Sequence, residues 1–169
     1  MRPPPTIRRL ALAGLTAALI AAPAATAGTP TPPTGVREQI EDPVFLLSLP
    51  DDGGAWTLWS GTVNGDRWWM LSRPRAKVIA GAACPKAPRV LTVCFHGSFG
   101  PVRSVVVGRV KPRAVTVEAT DGSGRRLRSV RVGGAYLAVA RGTPKKLTVV
   151  ARDRDGVVVA RRVLVYREP

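Results

Sequence analysis

Along the second half of the chain, apolar and polar residues take turns. Val115, Val117 and Ala119 fall on one side of a period-two pattern and Thr116, Glu118 and Thr120 on the other, and Leu147, Val149 and Ala151 repeat it against Thr148, Val150 and Arg152. Such alternation puts one set of side chains on a buried sheet face and the other in water. The pattern predicts strands from Ser104 to Val110, Ala114 to Thr120, Arg126 to Val132, Ala135 to Ala140, Lys146 to Arg152 and Val157 to Tyr166. Asp121-Gly122, Gly133-Gly134, Gly142-Thr143-Pro144 and Asp155-Gly156 supply the corners, since these residues tolerate the backbone angles of tight turns. Leu127 is out of phase with Val130 and Val132, which predicts a bulge near Ser129.

The first half carries a sharper local signal. Ala55 to Val63 and Asp66 to Ser72 flank Asn64-Gly65, the pair most favoured at the centre of a two-residue hairpin. The register follows: Val63 opposes Asp66, Gly61 opposes Trp68, Trp59 opposes Met70 and Leu58 opposes Leu71. One face then holds Trp56, Leu58, Trp69 and Leu71, the other Trp59, Trp68 and Met70. A hairpin apolar on both faces lies between two layers or leaves tryptophans exposed. Core packing is expected for at least three of the four, with Trp59 and Trp68 kept as candidate aromatic contacts to a partner. Val44 to Leu49 makes an earlier strand, closed by the turn residues Pro50 to Gly54. Short strands at this spacing, without helical periodicity between them, predict an all-β fold, an antiparallel β-sandwich of immunoglobulin-like or related topology.

The opening residues do not belong to that fold. Arg2, Arg8 and Arg9 precede an apolar run from Leu10 to Ala22 and a small-residue site at Ala25-Thr26-Ala27, so residues 1–27 read as a secretory signal peptide with a signal helix, exported by the general route or, as Arg8-Arg9 raises, by the twin-arginine route. No later stretch approaches the ~20 apolar residues of a spanning helix, so no integral membrane span is expected after cleavage. Residues 28–43 form a Pro/Thr-rich linker in which Val36 to Glu41 makes at most one helical turn before Pro43. Residues 44–100 hold the tryptophan hairpin and the cysteines, and 101–169 the basic sandwich region. Cys84 and Cys94, two cysteines in an exported chain, are expected to pair as a structural staple, the chain reversing at Pro85 and Pro88.

Charge divides the chain further. Residues 28–100 contain 7 basic and 6 acidic side chains, whereas residues 101–169 contain 16 basic and 5 acidic. A G+C-rich genome accounts for arginine over lysine, but not for the shortage of carboxylates in the second half. Such a field recruits anionic polymers, and Arg109, Lys111, Arg113, Arg125, Arg126, Arg128, Arg131, Arg161 and Arg162 are the candidate ligands. Nucleic acid is not expected as the partner, because stacking aromatics are sparse in the basic half and an exported protein rarely meets it.

Catalytic and metal-binding patterns are weak. His96-Gly97-Ser98-Phe99-Gly100 is near to a nucleophile elbow but lacks its first glycine and a following helix; the stretch reads as a loop leaving a strand. Asp153-Arg154-Asp155-Gly156 has the spacing of the start of a calcium loop, yet its arginines repel the ion, and a hairpin turn is expected instead. No catalytic residue, metal or cofactor is assigned.

The order Val106-Val107-Gly108-Arg109-Val110, Ala114-Val115-Thr116-Val117, Asp121-Gly122, Ala135-Tyr136-Leu137-Ala138-Val139, Leu147-Thr148-Val149-Val150-Ala151 and Asp153-Arg154-Asp155-Gly156 resembles a domain recurrent in uncharacterised secreted proteins of actinobacteria. Such domains are similar to the small regulatory sandwiches attached to carboxypeptidases. The resemblance implies an extracellular β domain and brings no site residues with it. The expectation is a secreted or envelope-associated, non-catalytic protein that binds an anionic envelope or extracellular polymer. The alternatives are a protein-binding or inhibitory module using the tryptophan hairpin and disulfide loop, with an extracellular protein as partner, or a small serine hydrolase acting through Ser98.

Overall fold

The structure is a computed structural model and describes residues 30–52, 54–73, 80–85, 89–99 and 103–166; the expected signal peptide lies outside them. A helical turn, α1 (Thr34–Arg37), precedes a four-strand meander of β1 (Glu41–Asp51), β2 (Gly54–Val63), β3 (Asp66–Ser72) and β4 (Ala80–Ala83). Seven strands follow: β5 (Leu91–Phe99), β6 (Arg103–Val110), β7 (Thr116–Asp121), β8 (Arg128–Val132), β9 (Ala135–Arg141), β10 (Lys146–Arg152) and β11 (Val158–Val165). They form three antiparallel sheets, ordered β1-β2-β3-β4, β5-β6-β9-β8 and β11-β10-β7. The fold is all-β, as the alternation predicts.

The middle sheet is buried on both faces. On β9, Ala135, Leu137 and Val139 share a core with Leu47, Leu49, Trp56, Leu58 and Trp69 of the first sheet. The intervening Tyr136, Ala138 and Ala140 share another with Ala119, Leu147, Val149 and Ala151 of the last sheet. Val105 and Val107 of β6 follow the first pattern and Val106 the second. This is why β6 and β9 read as unbroken apolar runs rather than alternating ones.

Double burial also corrects the expected bulge. The β8–β9 pairing runs from Arg128↔Val139 to Val132↔Ala135 without a register shift. Leu127 faces the core shared with the last sheet, while Val130 faces the core shared with the first, so the two residues need no change of phase. Just before β8 the chain is tied to β7, through a bridge between Thr120 and Arg126 and a bond from Leu127 N to Ala119 O of 2.8 Å.

The tryptophan hairpin keeps the predicted register, with Leu58↔Leu71, Trp59↔Met70, Gly61↔Trp68 and Val63↔Asp66. Asn64 and Gly65 both have positive φ, at 50° and 83°. Its inner face joins the middle sheet. Its outer face is roofed by Val36 and Ile40, which form a small core with Trp59 and Met70, Phe45 and Trp68 packing against it. The second part of the expected linker is therefore a lid held by apolar burial. Trp59 also donates to Ser72 Oγ at 2.9 Å and meets Phe45 edge-on at 5.7 Å.

Two strands were not legible as such in the sequence. β4 is an Ala/Gly run with no side-chain pattern, and β5 extends through the stretch read as a loop, with His96 opposite Val106 and Ser98 opposite Ser104. By pairing, β5 sits with the C-terminal half. Cys84, just after β4, is bonded to Cys94 on β5, so the expected disulfide covalently joins the first sheet to the middle one. Closing so short a loop in the unfolded chain contributes about 2 to 3 kcal/mol.

The two edges of the last sheet are treated differently. Beside β7, the side chains of Ser129 and Arg131 donate to the carbonyls of Val117 and Val115, both at 3.4 Å. β11 forms the other edge of its sheet.

Candidate anion-binding surface

The chemistry-bearing side chains are mostly arginines, and the fold sorts them by the ends of β6. Near Arg103, the turn between β1 and β2 delivers two carboxylates. Asp51 is almost buried and accepts from Arg103 Nε at 2.8 Å and Trp56 Nε1 at 3.1 Å, with Arg73 at 3.6 Å and Arg128 at 4.0 Å. Arg73 also stacks over the Trp56 ring at 5.0 Å. Burial pushes the Asp51 pKa up, but the hydrogen bonds from Arg103, Trp56 and the Asp52 backbone outweigh it and hold the carboxyl below its ordinary value. Asp52 pairs with Arg141 and lies 3.8 Å from Arg103. These contacts clamp the first sheet to the middle one.

Next to this clamp lies a cavity of about 280 Å³ lined by Asp51, Leu127, Ala140 and the arginines 125, 126, 128 and 141. Its cations are largely spoken for. Arg125 pairs with Asp121 at 3.0 Å and Arg126 with Glu118 at 2.5 Å. Asp121 is the anchor of the β7–β8 turn: its carboxylate accepts from Ser123 Oγ at 2.6 Å and from the Ser123 and Arg125 amides, both at 3.0 Å. The Ser123 hydroxyl bond, with these amides and despite burial, holds its pKa below the ordinary value. Glu118 serves Arg152 as well, at 3.6 Å.

At the opposite end of β6 the balance is different. Arg109, Lys111 and Arg113 of the β6–β7 segment have no carboxylate within ion-pairing distance among the described residues, and Arg109, Lys111 and Arg89 line a cavity of about 100 Å³. Arg109 and Arg103 are six residues apart on one strand, about 20 Å.

The nine expected ligands thus fall into separate groups. Arg125, Arg126 and Arg128 are engaged with carboxylates, Arg131 caps the β7 edge, and Arg109, Lys111 and Arg113 cluster without counter-charges. Arg161 and Arg162 stand apart on β11, opposite Val150 and Val149. Arg161 is exposed, while Arg162 shares the inner-face row with buried Val149 and acts electrostatically on Tyr136, whose hydroxyl donates to Thr92 O at 3.3 Å. Burial raises the Tyr136 pKa far above its ordinary value, and the Arg162 charge draws it back in part. Arg89 was not among the expected ligands; it lies in the half whose charges nearly balance, and only the fold brings it to Arg109.

The other candidates are placed as follows. Trp59 is 2% exposed and offers no open face to a ligand, and Trp68 is half-buried beside it. Ser98 Oγ lies 3.1 Å from Ser104 Oγ, which donates to Gly142 O, while His96 packs edge-on against Tyr166 at 5.1 Å. Burial pushes the Tyr166 pKa up to about 12. Asp153 accepts from the amides of Asp155 at 3.1 Å and Val157 at 2.9 Å, a turn-closing arrangement. Comparison of the chain with protein-family models, curated proteins and solved structures finds no match.

Proposed function

We propose that this is a secreted, non-catalytic β-sandwich protein that binds an anionic polymer of the cell envelope or extracellular matrix through its basic C-terminal half. The observation that carries this reading is the division of the cations. Acidic residues hold one end of the molecule together, while Arg109, Lys111 and Arg113 have no carboxylate within ion-pairing distance among the described residues. Cations grouped without counter-charges repel one another and draw a polyanion.

Export is supported by the leader-like composition of residues 1–27 and by a disulfide, which persists in oxidising compartments. An immunoglobulin-like C-terminal domain is supported by strand order. With β5 to β11 relabelled A to G, the two sheets read A-B-E-D and G-F-C, the arrangement of a seven-stranded constant-type domain. The disulfide is placed differently from the inter-sheet bridge of antibody domains, because it ties on the extra N-terminal sheet. The non-catalytic reading is supported by the Ser98 hydroxyl being engaged with Ser104 and by His96 lying against Tyr166.

Sedimentation of the mature protein with purified envelope material tests the proposal. Retention should be strong at low ionic strength and fall steeply as salt is raised, because screening shortens the reach of these charges. Retention indifferent to salt would remove the electrostatic mechanism.

A further inference from the structure

The small cavity at the far end of β6 has the features of a built site. Arg109 lies on a strand paired on both sides, opposite Thr92 of β5 and Ala135 of β9, so its backbone cannot drift. Cross-strand partners share a sheet face, which puts the Thr92 hydroxyl beside the Arg109 side chain. Lys111 is fixed by a bond from its amide to Val90 O at 2.9 Å, and Val110 by one to Gly134 O at 2.9 Å. Pro85, on the rim, follows the cysteine that bridges to Cys94, and Arg89 comes from the loop which that disulfide closes. Covalent and ladder constraints thus place the backbones of three cations around one cavity.

The lining selects a chemical class. Two guanidinium forks and an ammonium present donors only, and the threonine hydroxyl adds another that rotates to suit. Planar forks match the paired oxygens of a phosphoryl group, and three positive charges exceed what a single carboxylate neutralises. A cavity of about 100 Å³ has room for one such group, so it can hold the charged group of a polymer.

Resting on the polymer-binding reading above, we infer that Arg89, Arg109, Lys111 and Thr92 form a phosphoryl-binding subsite. The polymer that the basic half holds is then a phosphate-bearing one. The arginines around the other cavity, each already paired with a carboxylate, contribute mainly long-range attraction.

Two probes test this on the mature protein: inorganic phosphate followed by amide chemical shifts, and sodium polyphosphate followed by binding affinity, with polygalacturonate as a carboxylate control. Phosphate should shift the Thr92, Arg109 and Lys111 amides saturably. Arg109→Gln and Lys111→Gln should each weaken polyphosphate binding about tenfold, the scale of losing one charge-assisted bond, whereas Arg67→Gln, at an exposed position of the N-terminal sheet, should change it less than about twofold. Lys111 is exposed, so its variant keeps the test valid if Arg109→Gln lowers thermal stability. Polyphosphate or polygalacturonate bound equally well by wild type and both variants, with the three amides unmoved, would overturn the subsite and leave polymer binding standing. Phosphate shifts at the three amides without retention of either polymer would uphold the subsite as one for free phosphate and overturn the polymer reading. No response to any probe would overturn both.

Discussion

A single carboxylate decides how the first two layers meet. Asp51 is almost buried against Arg103 and the Trp56 indole, with two more arginines near, so removing its charge weakens the charge-assisted bonds that it accepts. Asp51→Asn should lower stability at neutral pH by about 1–3 kcal/mol, the usual range for losing a hydrogen bond to a charged group. The pH dependence has a definite sign. The folded-state pKa of Asp51 is held below its unfolded value, so its contribution is complete above about pH 4 and is lost as the pH falls through the folded value. Denaturant midpoints of wild type and variant should therefore differ at pH 7 and converge in acid. A gap of the same size at pH 2.5 would show that Asp51 acts through shape alone. Gly108 is a second residue whose identity is fixed by a neighbour: a Cβ there would run into Thr92 O and the Tyr136 ring, so the tyrosine crosses the strand only because the side chain is missing.

At the scale of elements, the helical turn α1 has an importance beyond its four residues. Val36 and Ile40 turn an apolar outer face into a core, and without them Trp59 would meet water. Ile40→Ala should cost about 2–5 kcal/mol and shift tryptophan emission to longer wavelength. Unchanged emission would mean that the roof does not depend on Ile40. How far such elements could be read from the residues varied with their pattern. The hairpin at Asn64-Gly65 was legible to the register, because a two-residue turn leaves no freedom in pairing. β4 was not, because Ala80-Gly81-Ala82-Ala83 carries no alternation and becomes a strand only by pairing with Trp68 to Leu71. The phase of Leu127 was misread as a bulge because alternation is interpreted as one wet face and one dry. In a middle sheet both are dry. The candidate site was legible in its residue types and not in its grouping. Charge counts pointed to nine residues, and only tertiary structure separates those paired with Asp51, Glu118 and Asp121 from those with no carboxylate near them among the described residues.

The whole molecule is organised by the sheet β5-β6-β9-β8, whose two faces belong to two cores. Neither outer sheet can leave without exposing that shared layer. Heat or denaturant should give one transition, with tryptophan emission, which reports the first sheet, and near-ultraviolet tyrosine signals, which report Tyr136 and Tyr166 of the C-terminal sandwich, coinciding. Two separated transitions would mean that the N-terminal sheet melts alone. The shared layer bears also on the order in which the chain is made. The inner face of the first sheet is synthesised before anything that covers it, since Trp56, Leu58, Trp69 and Leu71 wait for β6 and β9, and β9 ends at Arg141. While the chain from Ser72 to Arg141 is being made, this polypeptide carries an uncovered tryptophan face, the kind of transient apolar surface that invites association between nascent chains. A holding factor that keeps the chain from collapsing until Arg141 has emerged would have those tryptophans as its natural target.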